Sequence, residues 1–177
     1  PFPTNEKEFK EKAIEVNKRF AGDPLTDFNL KIPNDWTENT YIKTLQGFNS
    51  FGTLEKDLTS TLVSYESPIF HGYRATIAIK KSQLYHEISA KYWLQRYINI
   101  HNYLPLAEIE DVNKHEALVS YSYIDDDNLT KKAKIRALIN GNIIIIAEFN
   151  SPADFEKPLS FLEKEILNSI TLSNKTD

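Results

Sequence analysis

The stretch Ala137-Leu138-Ile139-Asn140-Gly141-Asn142-Ile143-Ile144-Ile145-Ile146-Ala147-Glu148-Phe149 decides the fold. Asn-Gly between two strand-like runs is the strongest short-range hairpin signal, since both residues tolerate positive φ. It predicts strands over 132–139 and 143–149, turning at Asn140-Gly141. The run from Ile143 to Ile146 shows no polar alternation. A strand apolar on successive residues is buried on both faces, so this one belongs in the middle of a sheet with cover above and below.

Working outward, Leu106 to Val112 and Ala117 to Ile124 read as a second hairpin around Asn113-Lys114-His115-Glu116, and Asp125-Asp126-Asp127-Asn128 as the polar loop after it. Upstream, Ala90, Trp93, Leu94, Tyr97 and Ile98 fall on one helical stripe, predicting a helix over 84–101. Tyr73, Ala75, Ile77 and Ile79 alternate with Arg74, Thr76, Ala78 and Lys80, the pattern of a strand with one buried face. Thr59 to Tyr65 is β-branched and strand-like, and residues 39–58, punctuated by Gly47 and Gly52, read as a strand and a loop. Phe28, Leu30 and Ile32 alternate up to Pro33.

At the two ends, Phe9, Ala13, Val16 and Phe20 lie at helical spacing, predicting a helix over 5–20 with Asn5 and Glu8 as a capping box. This helix either packs on its own domain or docks on a partner. Phe155, Leu159, Leu162 and Ile166 stripe a closing helix, with Pro158 in its first turn. Trp36, Trp93 and Tyr97 sit in regular patterns and read as core. The tail from Ser173 is expected to fray. Strands dominate the middle of the chain and helices stand ready for both faces. The predicted class is α+β: an α/β/α sandwich with a central, antiparallel-rich sheet covered by helices.

The 177 residues suit one domain with a single sizeable core. The expected organisation is an N-terminal helical extension over 1–22, one domain over 23–172, and a tail over 173–177. Net charge is −4. The densest positive cluster, Lys131, Lys132, Lys134 and Arg136, lies along a strand and reads as a solvated face, so no nucleic-acid partner is expected. With no cysteine, disulfides, thiolate metal sites and cysteine nucleophiles are excluded within the chain. The chain has no methionine and begins Pro1-Phe2-Pro3, which is read as removal of a leader and hence export, the alternative being a cytoplasmic protein. The purely aliphatic stretch Ile143–Ala147 is far too short to span a membrane. The abundance of Ile, Asn and Lys suggests an AT-rich bacterial genome.

No motif supplies a reaction. The histidines, His71, His86, His101 and His115, show no metal-ligand spacing. There is no Gly-x-Ser-x-Gly elbow, phosphate loop or dinucleotide fingerprint. The Asp125–Asn128 loop lacks the glycine and terminal glutamate of an EF-hand loop and reads as a solvated turn. Asn128-Leu129-Thr130 and Asn174-Lys175-Thr176 match the glycan acceptor pattern, which matters only in a eukaryotic secretory setting. No catalytic residue, metal or cofactor is expected. The candidate binding residues are Phe48, Phe51, Phe70, His71, Tyr73 and Arg74, aromatic and basic side chains on the least regular part of the chain.

The element order, the early segment Leu30-Lys31-Ile32-Pro33-Asn34-Asp35-Trp36 and the closing Ile166-Leu167-Asn168-Ser169-Ile170-Thr171-Leu172 together resemble the PsbP-like fold family over about residues 25–172. That family includes the photosystem II extrinsic subunit, a Ran-binding import factor and bacterial secreted proteins. Asn34 stands where the family usually has glycine, a mild departure because Asn also tolerates a left-handed turn. The resemblance implies a non-enzymatic module that binds another protein or serves an assembly. Two other readings are a cytosolic chaperone of secretion effectors with a similar fold, and a small-molecule binder or enzyme with an NTF2-like pocket.

Overall fold

The computed structural model describes residues 2–39, 59–102 and 107–176. Their elements, in chain order, are α1 (Glu6–Lys12), β1 (Ala13–Lys18), β2 (Phe28–Pro33), β3 (Thr37–Asn39), β4 (Thr59–Glu66) and β5 (Thr76–Gln83). Then come α2 (Ala90–Asn102), β6 (Ile109–Asn113), β7 (Glu116–Ile124), β8 (Thr130–Asn140), β9 (Ile143–Pro152), α3 (Glu156–Asn168) and β10 (Thr171–Leu172). A seven-stranded sheet runs in the order β3-β4-β5-β9-β8-β7-β6, antiparallel throughout. A three-stranded sheet, β1-β2-β10, lies apart from it. This is the α+β sandwich that the patterning predicts.

β9 is the middle strand, and its residues alternate between two cores. Ile144 and Ile146 pack with Trp93, Leu94, Tyr97 and Ile98 of α2. Ile143, Ile145, Ala147 and Phe149 pack on the other side with Leu159, Leu162 and Ile166 of α3 and with Phe28, Leu30 and Ile32 of β2. The small sheet and α3 therefore share one layer. Trp36 belongs to that core too, its ring 6.0 Å from Phe149. Trp93 and Tyr97 stack on each other beneath α2, ring centroids 5.2 Å apart.

Five local readings are corrected. Residues 13–18 form a strand, not a continuation of the helix: Ala13 leaves α1 in an extended conformation, and β1 pairs with β2 residue by residue from Ala13↔Pro33 to Lys18↔Phe28. Ile14 and Val16 are β-branched, and pairing with buried Ile32 and Leu30 offers them more than a helical surface could. Asn5 does cap α1, accepting from the Glu8 N–H at 3.0 Å, but the Glu8 carboxylate reaches back to the Thr4 N–H at 2.8 Å instead of to Asn5. The first turns of the middle helix are missing as well. Helix α2 starts at Ala90, after Ser89, whose Oγ accepts the Tyr92 N–H at 3.3 Å. The preceding Leu84 is tied by its N–H to the Asn142 carbonyl at 2.7 Å.

The hairpin turn sits one residue later than expected. Asn140 pairs with Ile143, so Gly141 and Asn142 make the turn and Gly141 carries the positive φ of 62°. The register shift frees the Asn140 side chain to turn inward. Finally, residues 173–176 are not frayed. The Ser173 N–H donates to the Asp27 carbonyl, and the Asn174 Nδ2 donates to the Pro24 carbonyl and to the Asp27 Oδ2.

Phe9 is buried in the α3-side core, so α1 packs on its own domain. Phe9→Asp should therefore lower the stability of the chain by about 3 kcal/mol or more, through lost burial and an unpaired buried charge. Urea unfolding measures this. An unchanged midpoint would mean that α1 does not contribute to the core.

Candidate functional site

The described part of the expected binding region is the connection between β4 and β5. Ser67, fully buried, holds its base: its N–H donates to the Ala75 carbonyl at 2.9 Å, its Oγ accepts the Ala75 N–H at 2.9 Å, and its carbonyl accepts Arg74 Nη1 at 2.7 Å. Beyond it, Phe70 and Tyr73 exchange backbone hydrogen bonds of 2.8 and 3.1 Å across His71-Gly72. Both turn residues have positive φ, 49° and 83°. For glycine this is ordinary. For His71 it is uncommon and is held in place by its surroundings.

Those surroundings separate the four described candidates by role. Phe70 points inward, with ring centroids 5.3 Å from Phe2, 5.0 Å from Phe155 and 4.2 Å from His71. It anchors the turn to the segment that leads into α3. Tyr73, 48% exposed, and Ile69, 62% exposed, face solvent together with His71 and Arg74. Ile69 was not singled out from the sequence, because one aliphatic residue after a proline carries no pattern. Phe48 and Phe51 lie outside the described residues.

The sequence also gave no sign of a buried polar cluster beneath α2. Glu148 is the acidic residue of β9 on the α2 face, and it is buried. Its Oε2 accepts Lys80 Nζ at 3.0 Å, and its Oε1 accepts the Tyr97 hydroxyl. Lys80 Nζ lies 3.3 Å from the Tyr97 oxygen, which closes the triad. Burial, and next the Glu148 carboxylate, hold the Tyr97 hydroxyl well above the usual tyrosine range. Tyr123 is raised too, by burial first and by Glu148 second, and its hydroxyl donates to Asn150 Oδ1 at 2.9 Å. A protonated tyrosine and an ammonium group satisfying one carboxylate make a structural joint. The triad engages both oxygens of Glu148.

Asp125 is likewise committed. Its Oδ1 accepts the N–H groups of Asp127 and Leu129 at 3.0 and 2.9 Å, and Oδ2 pairs with Lys131 at 3.1 Å. Those backbone donors, chiefly that of Leu129, hold its carboxyl below the usual range. Among the described residues no three His, Asp or Glu side chains converge to hold a metal. His86 and His115 do line one groove of about 420 Å³, a pairing invisible at 29 residues' separation. A larger groove, about 660 Å³, runs between α1, the β1–β2 pair and the end of α3. Its ionisable groups are Glu6, Lys10, Glu15, Lys31 and Glu165, of mixed sign.

No family model matches the sequence, and no curated protein matches it. Solved structures do. The Ran-binding protein Mog1p of Saccharomyces cerevisiae superposes with a TM-score of 0.56 at 10% identity, over 92% of this chain and 96% of its own. The PsbP protein of the cyanobacterium Synechocystis gives 0.53 at 14% identity, over 89% and 92%. LpqN of Mycobacterium tuberculosis, involved in cell envelope biogenesis, gives 0.51 at 12% identity, over 97% and 98%. The fold is PsbP-like. At these identities the likeness concerns the fold alone, and it covers nearly the whole chain. No helix of the described residues is long and apolar enough to cross a membrane.

The triad makes an alkaline-pH prediction. In the unfolded chain Tyr97 ionises near its ordinary value of 10.0, and in the folded chain only well above it. The folded state thus keeps a proton that the unfolded state has lost, so stability is complete below pH 10 and falls as pH rises beyond it. Tyr97→Phe should weaken that dependence and cost about 1–2 kcal/mol at neutral pH, since Glu148 loses a buried donor. Urea midpoints at pH 7 to 11 check both. A Tyr97→Phe protein with the parent's stability at every pH would refute the structural role.

Proposed function

We propose that this chain is a non-enzymatic protein-binding or assembly module that docks through the turn between β4 and β5. The observation that carries the reading is the division of labour in that turn. Phe70 is packed against Phe2 and Phe155, while Ile69, His71, Tyr73 and Arg74 are held outward on a backbone fixed by Ser67. Association is costly in ordering entropy, and a pre-fixed display of apolar, aromatic and guanidinium groups reduces that cost.

One structural neighbour supports a binding role, since Mog1p is a Ran-binding protein, and another, LpqN, is involved in cell envelope biogenesis. The partner is another protein instead of a nucleic acid, in keeping with a net charge of −4. Export from a bacterial cell is the setting we favour, as for an envelope or secretion assembly. A cytosolic effector chaperone would use the same surface. An NTF2-like pocket is less well supported, because the space between α2 and the sheet is filled by Trp93, Leu94, Tyr97 and the Lys80–Glu148 pair.

The test is affinity capture from the native organism with the chain as bait, against a bait carrying Ile69→Ser and Tyr73→Ala. Phe70 and Arg74 are retained so that the turn stays anchored, and the variant's Tm should move by no more than a few degrees. A protein held by the parent and lost with the variant supports the reading. Equal capture by both baits, or by neither, removes this turn as the docking surface.

A further inference from the structure

Asn140-Gly141 is the dipeptide in which the backbone nitrogen after an asparagine is least hindered, because glycine has no side chain to block its approach to the asparagine carbonyl carbon. Asn140 is nevertheless fully buried, and its amide is saturated. Nδ2 donates to the carbonyls of Leu25 and Asn174, each at 3.0 Å. Oδ1 accepts the Thr176 N–H at 2.9 Å and the Thr176 hydroxyl at 3.1 Å. Both donors and both acceptor positions of the amide are used. Three of the four partners lie on the segment 173–176. Asn174 returns the grip by donating to the Pro24 carbonyl and to Asp27 Oδ2.

We propose that Asn140-Gly141 is a latent self-modification site, kept unreactive by the segment 173–176. In the reaction the Gly141 backbone nitrogen bonds to Asn140 Cγ, and the Cγ–Nδ2 bond breaks. Nδ2 leaves as ammonia with the proton given up by Gly141, and the product is a five-membered succinimide. Water then opens the ring to aspartate or isoaspartate. The co-reactant is water alone. While the four hydrogen bonds stand, the side-chain amide cannot rotate to present Cγ to the Gly141 nitrogen, and the pairing of Asn140 with Ile143 holds the backbone extended.

The chemistry has a direction. The new carboxylate would face the Leu25 and Asn174 carbonyls, so acceptors would meet acceptors where two hydrogen bonds stood. The clasp would then stay open. Thr176 lines two grooves, of about 420 and 290 Å³, that share His115 and Ile139, and its departure would uncover both. Modification at one buried amide would thus convert a closed corner of the fold into an exposed one without disturbing the β9 core.

The test is the rate of amide-to-acid conversion at Asn140, read by peptide mass spectrometry with isoaspartate labelling. It compares the full chain, its Thr176→Pro variant and the chain in denaturant. Thr176→Pro removes both donors to Oδ1. Asn142, exposed in the same hairpin but followed by Ile143, serves as an internal reference for non-specific loss. The folded parent should be protected relative to the denatured chain, and the variant should convert about tenfold faster than the parent, as expected for loss of one to two net hydrogen bonds. Equal rates for the folded parent and the denatured chain, or for parent and variant, would overturn the proposal. Asn140→Asp supplies a second readout. The Thr176 amide should lose its hydrogen-exchange protection while the β8–β9 ladder keeps its own, and full protection at Thr176 would overturn the switch.

Discussion

The structure depends on β9 being buried on both faces. A strand in that position has no solvent side, so each residue must be apolar or be satisfied from above or below. Ile143 to Phe149 meets this with six apolar residues and one carboxylate. The alternate residues seed two separate cores, which is why one helix packs on each face. Among the described residues, α2 packs on the sheet together with Leu84, Ile88 and Ala107. α3 shares its side with β1, β2 and β10, because that core also takes in the residues at both ends of the chain. The early segment at Lys31 and the closing segment at Ser169 meet here: the Lys31 N–H donates to the Ser169 Oγ at 2.9 Å, and Asn29 pairs with Thr171.

Buried apolar surface drives such a layered fold together but gives little directional information. Direction comes from three polar joints. Glu148 requires Lys80 and Tyr97, which ties β9 to β5 and α2. Arg136 donates from Nη1 to the carbonyls of Leu167 and Ile170, at 2.9 and 3.0 Å, and from Nε to Glu116. A guanidinium placed on the unpaired carbonyls at the end of a helix suits both their hydrogen-bonding need and the helix dipole, so Arg136 fixes where α3 ends over the sheet. Asn140 ties the β8–β9 hairpin to residues on both sides of β2. Each joint links elements distant in sequence, and each would leave a buried polar group unpaired if the packing slipped.

That division explains what could be read beforehand. The central strand, the 84–101 stripe and the closing helix were legible because burial imposes periods of 2 and 3.6 on long segments. Short segments were not. Phe9, Ala13, Val16 and Phe20 satisfy a helical period, yet Ile14, Val16 and Lys18 satisfy a strand period equally well, and the choice is made by β2, a partner invisible in local pattern. Asn140-Gly141 was recognised as a turn, but its register depended on the burial of the Asn140 amide against residues 25 and 174–176. The Lys131–Arg136 cluster read as a solvated face for the same reason: alternation along a strand does not say that a helix end lies above it.

The candidate site was half legible. Composition of an irregular segment pointed to Phe70, His71, Tyr73 and Arg74, and the structure brings all four into one turn. What composition could not do was separate anchor from display. Phe70 and Tyr73 are both aromatic and only three residues apart, but they pair across the turn, and the rings of Phe2 and Phe155 fill the space beside one of them only. That asymmetry packs Phe70 against the α3-side core and leaves Tyr73 exposed. An anchored ring also opposes relaxation of His71 out of its positive φ, since rotation there would pull Phe70 from its neighbours. The backbone cost at His71 is thus borne by packing in the α3-side core, and the outward side chains inherit an orientation that no property of their own would impose.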